Sequence, residues 1–169
     1  MRYFIVLSAF IAACATTVPS GTAVEIPSAD RRSLDLDASI NSWRASGIDD
    51  YRYSRESISS WCAAPSVEVT VRNNSVVSVK YIRDGRTCTG KVTYRAGQSA
   101  FRRYPTLAAS VDDLLSDIAM PSDGCSIQVA TFHSEYGFPL KLFKCGVLED
   151  GTVIEDAGYG YRIVSFEIL

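Results

Sequence analysis

The sequence is poor in the residues on which many catalytic and metal sites depend. It contains one histidine, His133, and no Cys-x-x-Cys pair, so a zinc site would have to be assembled from scattered ligands. A serine, cysteine or threonine nucleophile needs a positioned base, and His133 falls in a predicted hairpin loop, where we expect an exposed side chain. The G-x-S-x-G and G-x-x-x-x-G-K-[ST] motifs are absent. We therefore predict no catalytic residue, no metal and no cofactor.

Apolar segments long enough to cross a membrane are also missing. The most apolar stretch runs from Tyr3 to Ala13, far short of the roughly 20 residues that span a bilayer as a helix. Arg2 precedes this stretch and small residues end it, which is typical of a secretory signal. We therefore expect residues 1–13 to be a signal peptide and the protein to be exported.

The apolar stretch ends in Ile11-Ala12-Ala13-Cys14, which resembles the bacterial lipobox. The resemblance implies that Cys14 is lipidated and anchors the chain, since each buried methylene contributes about 0.8 kcal/mol to membrane binding. An ordinary signal peptide cleaved nearby is the alternative. Ala15, in place of aspartate, is similar to the pattern of outer-membrane lipoproteins and slightly favours the outer membrane, on its periplasmic face.

Four further cysteines follow, and an exported compartment allows disulfides. They are Cys62, Cys88, Cys125 and Cys145, and they permit three pairings. If Phe132 faces Phe138 in a hairpin, Cys125 falls opposite Cys145, which leaves Cys62 for Cys88. We prefer these two bridges, each of which would stabilise the domain by about 3 kcal/mol.

Charge is unevenly distributed along the chain. Residues 80–103 hold seven basic side chains against Asp84 alone, whereas residues 104–169 hold three basic and ten acidic ones. In the basic segment, cations alternate with aromatic residues, a mixture that suits a phosphate-rich or carboxylate-rich partner. The candidate partner-binding residues are Lys91, Arg95, Arg102 and Arg103 with Tyr94, Phe101 and Tyr104. The alternative is a solvated basic segment that pairs with the acidic C-terminal third.

An exported lipoprotein meets anionic lipids, acidic envelope polymers and acidic proteins, so nucleic acid is not expected as a partner. A carboxylate-dependent hydrolase is the alternative from another class. It would require Asp49, Glu149 or Glu155 to cluster in a cleft. An inhibitor that presents the loop SEYGFP to an enzyme is a further possibility.

Local patterns predict one domain over residues 33–169, preceded by a flexible tether over residues 14–32, where Thr, Ser, Pro, Gly and Ala show no periodicity. Ser33 is the expected cap of a first helix, with Leu36, Ile40 and Trp43 on one face and Gly47 as its stop. A second helix is predicted from the capping box Ser110 to Asp113. Its apolar positions are Val111, Leu114, Leu115 and Ile118.

Alternating residues predict the strands. They indicate strands near Asp50–Ile58 and around Val67–Val71 and Val77–Tyr81, with Val71 opposite Val77 across a three-residue loop. A short strand is expected near Lys91–Arg95. Two hairpins follow, and Tyr161–Ile168 is the last strand. The predicted fold is α+β, an antiparallel sheet of a three-stranded meander and C-terminal hairpins with two helices on one face.

These elements together resemble a widespread family of small bacterial exported proteins and lipoproteins built on one domain of unknown function. The matching stretches are Asp50-Tyr51-Arg52-Tyr53, VEVTVRNNSVVSVKY, SVDDLLSDI, SEYGFP and YGYRIVSFEIL. Relatives often carry a second cysteine two residues before Cys62, and its absence here supports Cys88 as the partner. The resemblance implies a fold and an envelope location, and no known activity.

Overall fold

The computed structural model describes residues 21–26, 35–59, 65–86, 93–101, 107–119, 127–147 and 153–169. Within these ranges the chain forms two helices and nine strands. The helices are α1 (Leu36–Ser46) and α2 (Val111–Ala119). The strands are β1 (Thr22–Val24), β2 (Tyr51–Ser59), β3 (Val67–Arg72), β4 (Ser75–Tyr81), β5 (Gly85–Arg86), β6 (Thr93–Tyr94), β7 (Ile127–Phe132), β8 (Pro139–Val147) and β9 (Val153–Ile168).

The main sheet is antiparallel, with the strand order β4-β3-β2-β9-β8-β7 and with β1 beside β9. Each half of this order consists of strands that are consecutive in the chain, and the pairing of β2 with β9 joins the halves. β5 and β6 form a separate two-stranded ribbon. The α+β class is therefore confirmed, and the predicted strand arrangement is matched in part.

The last strand is much longer than the predicted Tyr161–Ile168, because it starts at Val153: residues 153, 154, 159 and 160 pair with β8, and residues 159 and 160 also pair with β2. A bulge interrupts it: Ser54 lies opposite Ser165, whereas Arg55 lies opposite Ile163. The extra residue, Val164, is exposed. The bulge changes which residues of β9 face the core, so simple alternation does not describe the whole strand.

Strand β1 lies inside the segment predicted to be a flexible tether, and that prediction is wrong for Thr22–Val24. These three residues pair with 166–168 of β9. The reason is a difference in length: β8 covers β9 only as far as Arg162, which leaves hydrogen-bonding groups at the end of β9 for another strand. Val24 is buried and belongs to the core.

The turn between β3 and β4 contains two residues, and the predicted three-residue loop is wrong. Asn73 and Asn74 both have positive φ, 46° and 57°, as a type I′ hairpin turn requires. Val71 therefore lies opposite Val76. A bulge then restores the pairing of the buried faces and leaves Val77 56% exposed.

The helices begin and end as their sequences require. Asp35 caps α1, because its Oδ1 accepts a hydrogen bond from the Ala38 N–H at 2.8 Å, so the prediction of Ser33 is wrong. Gly47 ends α1 in the left-handed conformation, as predicted. The capping box of α2 is confirmed by hydrogen bonds in both directions between Ser110 and Asp113.

Both helices lie on one face of the sheet. Trp43 of α1 packs edge-on against Tyr51 of β2, with ring centroids 5.3 Å apart. The four predicted apolar residues of α2 are all buried. Among the described residues, no helix is long and apolar enough to span a bilayer.

Candidate functional site

A column of stacked rings runs through the core and uses the most distinctive sequence stretches. Phe138 stacks on Phe166 at 4.2 Å, and Phe166 stacks on Tyr51 at 5.3 Å. Tyr53 and His133 extend the column at its two ends. The DYRY, SEYGFP and YGYRIVSF stretches therefore contribute to the core through the buried rings of Tyr51, Tyr53, Phe138, Tyr161 and Phe166, whereas Tyr159 is 45% exposed.

The SEYGFP loop is a tight turn against α1. His133 N–H donates to the Phe138 carbonyl and Gly137 N–H donates to the His133 carbonyl, each at 2.9 Å. Gly137 has φ +77°, and a Cβ there would collide with the Ser39 carbonyl of α1. The register shifts at this turn, so Phe132 lies opposite Pro139, and the predicted pairing with Phe138 is wrong. Only Ser134 and Glu135 of SEYGFP are exposed.

The histidine is buried, and the prediction of an exposed loop residue is wrong. His133 is 6% exposed. Its Nδ1 accepts the N–H groups of Glu135 and Tyr136, each at 3.3 Å, so the ring proton lies on Nε2 and is donated to the Glu25 carbonyl at 3.1 Å. The imidazole therefore ties the turn to the residue after β1. With both ring nitrogens engaged, it serves as a structural side chain.

A pocket of about 190 Å³ lies between β1 and this turn. It is lined by Thr22, Ala23, Val24, Glu25, His133, Ser134, Glu135 and Tyr136. Burial and the neighbouring Glu135 carboxylate raise the pKa of the Tyr136 phenol. The pocket is lined by backbone groups, by the carboxylates of Glu25 and Glu135, and by a histidine whose two ring nitrogens already have hydrogen-bond partners.

Two tyrosines of β2 hold the start of α2. The Tyr51 hydroxyl accepts the Val111 N–H at 2.7 Å, and the Tyr53 hydroxyl donates to the Ala109 carbonyl at 2.7 Å. Burial raises the pKa of Tyr53 to about 12 and also raises the pKa of Tyr51. Both phenols are therefore neutral hydrogen-bonding groups, and the DYRY stretch positions a helix.

A polar group beneath α2 was not predicted from the sequence. Lys144 of β8 is buried, and its Nζ forms an ion pair with Asp117 of α2 at 2.8 Å. The Arg55 guanidinium lies 5.4 Å above the Tyr161 ring. Burial raises the pKa of the Tyr161 phenol. In the sequence, the only sign of this polar group is that charged residues occupy inward positions of strands with an alternating pattern.

The ribbon of β5 and β6 carries part of the predicted basic segment. Tyr94 is fixed, because it stacks on Tyr81 at 4.5 Å and covers Gly85, where a Cβ would collide with its ring. The Ala96 N–H donates to Asp84 Oδ1 at 2.8 Å. These contacts hold the ribbon against the end of β4, so its arginines stand on an ordered support.

The cations near the ribbon differ in how far they are neutralised. Arg83 is 3.5 Å from Glu56, and Lys80 lies opposite Glu68 across the β3–β4 pair. Arg86 and Arg95 are exposed. In the described part of the chain, neither of these two arginines forms an ion pair. We name Arg86, Arg95 and the ribbon that carries them the basic ribbon.

The structure places only some of the predicted site residues. Arg95 and Tyr94 lie on the basic ribbon, and Phe101 is 42% exposed just beyond it. The predicted Lys91, Arg102, Arg103 and Tyr104 lie outside the described residues, as do Cys14, Cys62, Cys88, Cys125 and the side chain of Cys145. Neither predicted bridge is therefore tested.

The structure describes only one of the three acidic side chains that the carboxylate-dependent hydrolase would require. Asp49 is exposed at the end of α1. Glu149 and the side chain of Glu155 lie outside the described residues. Across the described ranges, no group of three or more His, Cys, Asp or Glu side chains is arranged to hold a metal ion.

Comparison with known proteins gives a family. The sequence pattern of DUF6174, a family of unknown function, matches residues 35–166. No curated protein and no solved structure matched the chain. The matched span begins at the cap of α1 and ends at Phe166, so it contains both helices, the stacked rings and the basic ribbon, and it leaves out β1. The chain belongs to the DUF6174 family.

Proposed function

We propose that the protein is a lipid-anchored bacterial cell-envelope protein that acts without catalysis, by binding a polyanionic envelope polymer through the basic ribbon. The lipobox-like Ile11-Ala12-Ala13-Cys14 supports the anchor. The observation that carries the binding role is the pair of exposed arginines, Arg86 and Arg95, on a ribbon fixed by the stacking of Tyr94.

Arginine suits this partner because its planar guanidinium donates two parallel hydrogen bonds to a carboxylate or phosphate. A fixed support lowers the entropy lost on binding, since only the side chains must be ordered. The additional cations predicted from the sequence, Lys91, Arg102 and Arg103, belong to the same basic segment. A run of such groups favours a ligand with repeated negative charges.

A polymer fits this surface better than a folded acidic protein. Protein interfaces have a core in which charged residues are depleted and apolar and aromatic residues are enriched. The exposed described residues around the basic ribbon are mostly polar or small, namely Arg86, Thr93, Arg95, Ala96, Gly97, Gln98 and Ser99. Phe101 is the large apolar side chain exposed beside them.

The test is retention of the purified domain on immobilised polygalacturonate and on polyphosphate, which supply carboxylates and phosphates separately. The double variant Arg86→Ser, Arg95→Ser should elute at lower salt than the unaltered protein on at least one polymer. The matched control is Arg44→Ser, Lys141→Ser, which removes the same charge from exposed positions on α1 and β8.

The control should elute as the unaltered protein does. Equal losses in both double variants would show that net charge alone governs retention, which contradicts the proposal. A third variant, Lys91→Ser, Arg102→Ser, Arg103→Ser, tests the remainder of the predicted basic segment. Retention of this triple variant should also be lower than that of the unaltered protein, because the whole segment is proposed to contact the polymer.

A further inference from the structure

The chain enters the sheet at one defined end. Gly21 N–H donates to the Ile168 carbonyl, and Thr22 lies opposite Ile168. On the other side of β9, Tyr51 also lies opposite Ile168, and Tyr51 pairs with Val71 near the β3–β4 turn. We name the end of the sheet marked by these residues the entry end.

The basic ribbon lies at the opposite end. β4 starts at Ser75, beside the turn of the entry end, and finishes at Tyr81, on which Tyr94 of the ribbon stacks. Six residue steps along a strand cover about 20 Å. The sheet therefore separates the point of chain entry from Arg86 and Arg95 by about the length of β4.

The distance from the anchor to the entry end is short. Seven residue steps join Cys14 to Gly21, so these two residues can lie at most about 25 Å apart. A tether that continued to Arg32 would leave the domain free to turn. Because β1 is part of the sheet, the described chain starts at Gly21 in a fixed place at the entry end.

We infer that β1 orients the domain, with its entry end towards the bilayer and the basic ribbon directed away from it. This inference rests on the lipid anchor of the proposed function. Electrostatic attraction between exposed charges fades beyond about 8 Å at physiological salt. A ribbon held about 20 Å from the entry end therefore does not engage the lipid headgroups of its own bilayer. Its partner is a polymer that extends beyond the membrane surface.

The contacts of β1 supply a matched pair of variants. Val24 is buried in the core, whereas its neighbour Ala23 is exposed and lies opposite Glu167. Val24→Lys should detach β1, because an unpaired charge is costly to bury. Ala23→Lys adds the same charge on the solvent side, next to an opposite charge, and should leave β1 in place.

The experiment uses the full-length lipidated protein in vesicles whose headgroups carry an energy-transfer acceptor. A donor is attached through an azide-bearing amino acid at Ser75, on the entry end, or at Ala96, beside the basic ribbon; both side chains are exposed. Donor transfer from Ser75 should exceed transfer from Ala96. The difference should persist in Ala23→Lys and be lost in Val24→Lys.

Flotation of the protein with the vesicles is measured first. It distinguishes failure of the lipid anchor from failure of the orientation. Equal transfer from both positions in protein that floats would overturn the orientation while leaving the anchor and the polymer binding intact. Protein that does not float would contradict the anchor and, with it, the orientation. A difference that survives in Val24→Lys, with β1 shown to be detached by hydrogen exchange at residues 166–168, would show that β1 does not set the orientation.

Discussion

Phe138 stacks on Phe166 with ring centroids 4.2 Å apart and an angle of 11° between the rings. Phe138 comes from the turn between β7 and β8, and Phe166 comes from the end of β9. Both side chains are nearly inaccessible to solvent. One ring contact therefore joins two of the stretches that distinguish the sequence, and it fixes the turn over the strand that pairs with β1.

Replacement of Phe166 by alanine should lower the free energy of unfolding by about 3 to 5 kcal/mol, because it removes a buried ring and leaves a cavity. Val164 lies in the same strand but is exposed in the bulge, so Val164→Ala should change stability by less than about 0.5 kcal/mol. Urea denaturation measures both. Similar losses would mean that the stacked column does not hold the core together.

Much of the fold follows from short-range patterns, and its exceptions have identifiable causes. Alternating valines predict β3 and β4, but two asparagines with positive φ shorten the turn, and a bulge at Val77 compensates. The limits of α2 follow from its capping box and apolar spacing. β1 could not be predicted, because its place depends on where β8 stops covering β9, a property of two distant strands.

The tyrosine hydroxyls of the core should contribute unequally to stability. Tyr51→Phe and Tyr53→Phe each leave a backbone group at the start of α2 without its partner, which should cost about 1 to 3 kcal/mol. The Tyr161 hydroxyl is buried without a hydrogen-bond partner within the described ranges. Tyr161→Phe should therefore be neutral or stabilising.

Thermal and urea unfolding of the three single variants provide the comparison. The hydrogen-exchange rate of the Val111 amide reports on this hydrogen bond locally. Tyr51→Phe should raise that rate, and Tyr161→Phe should leave it unchanged. Equal destabilisation by all three substitutions would show that the phenol rings, and not the hydrogen bonds to α2, determine the effect.

The two glycines around Tyr159 should respond differently to alanine. A Cβ on Gly158 would meet the Phe143 ring and, at 2.8 Å, the Lys144 carbonyl, whereas a Cβ on Gly160 would meet the backbone of residues 142 and 143. Both substitutions should be destabilising, since crowding in packed regions typically costs about 1 to 3 kcal/mol. Phe143→Ala should relieve part of the cost of Gly158→Ala and none of the cost of Gly160→Ala.

A double-mutant cycle in urea measures this coupling. The cycle with Gly158 should give a favourable interaction term, and the cycle with Gly160 should be additive. Additivity in both would mean that Phe143 does not lie over Gly158. Coupling to Gly158 alone would show that the Phe143 ring requires a glycine directly before the YGY stretch, whereas the glycine within it, Gly160, is required by the backbone of β8.

The candidate site was predictable only in outline. Clustering of cations between residues 80 and 103 is visible in the sequence, and it identified Arg95 beside Tyr94. It did not show that Glu56 is close to Arg83, because these residues meet through β2 and a loop after β4. Nor did it single out Arg86, whose position depends on the pairing of β5 with β6. Charge composition locates a region, and cross-strand partners decide which cations remain available.

Acid should weaken the fold through two carboxylates that join distant parts of the sheet. The Asn73 N–H and the Arg72 guanidinium bind Asp50 at 2.8 Å each and hold the pKa of its carboxyl below the usual 3.8. Arg162 binds Glu56 at 2.7 Å and, with Arg83, lowers its pKa below 4.5.

Because the folded-state pKa of each carboxyl lies below its unfolded value, its contribution to stability is present above the unfolded value and is lost as pH falls through the folded one. The free energy of unfolding should therefore decrease below about pH 5, and Asp50→Asn with Glu56→Gln should flatten that decrease. Urea unfolding at several pH values tests the slope, and NMR titration of the two carboxyl carbons tests its cause. Folded-state pKa values at or above the ordinary ones would contradict the assignment. A flattened slope with depressed pKa values would show that these two ion pairs couple the β3–β4 turn and the centre of the sheet to the protonation state of the protein.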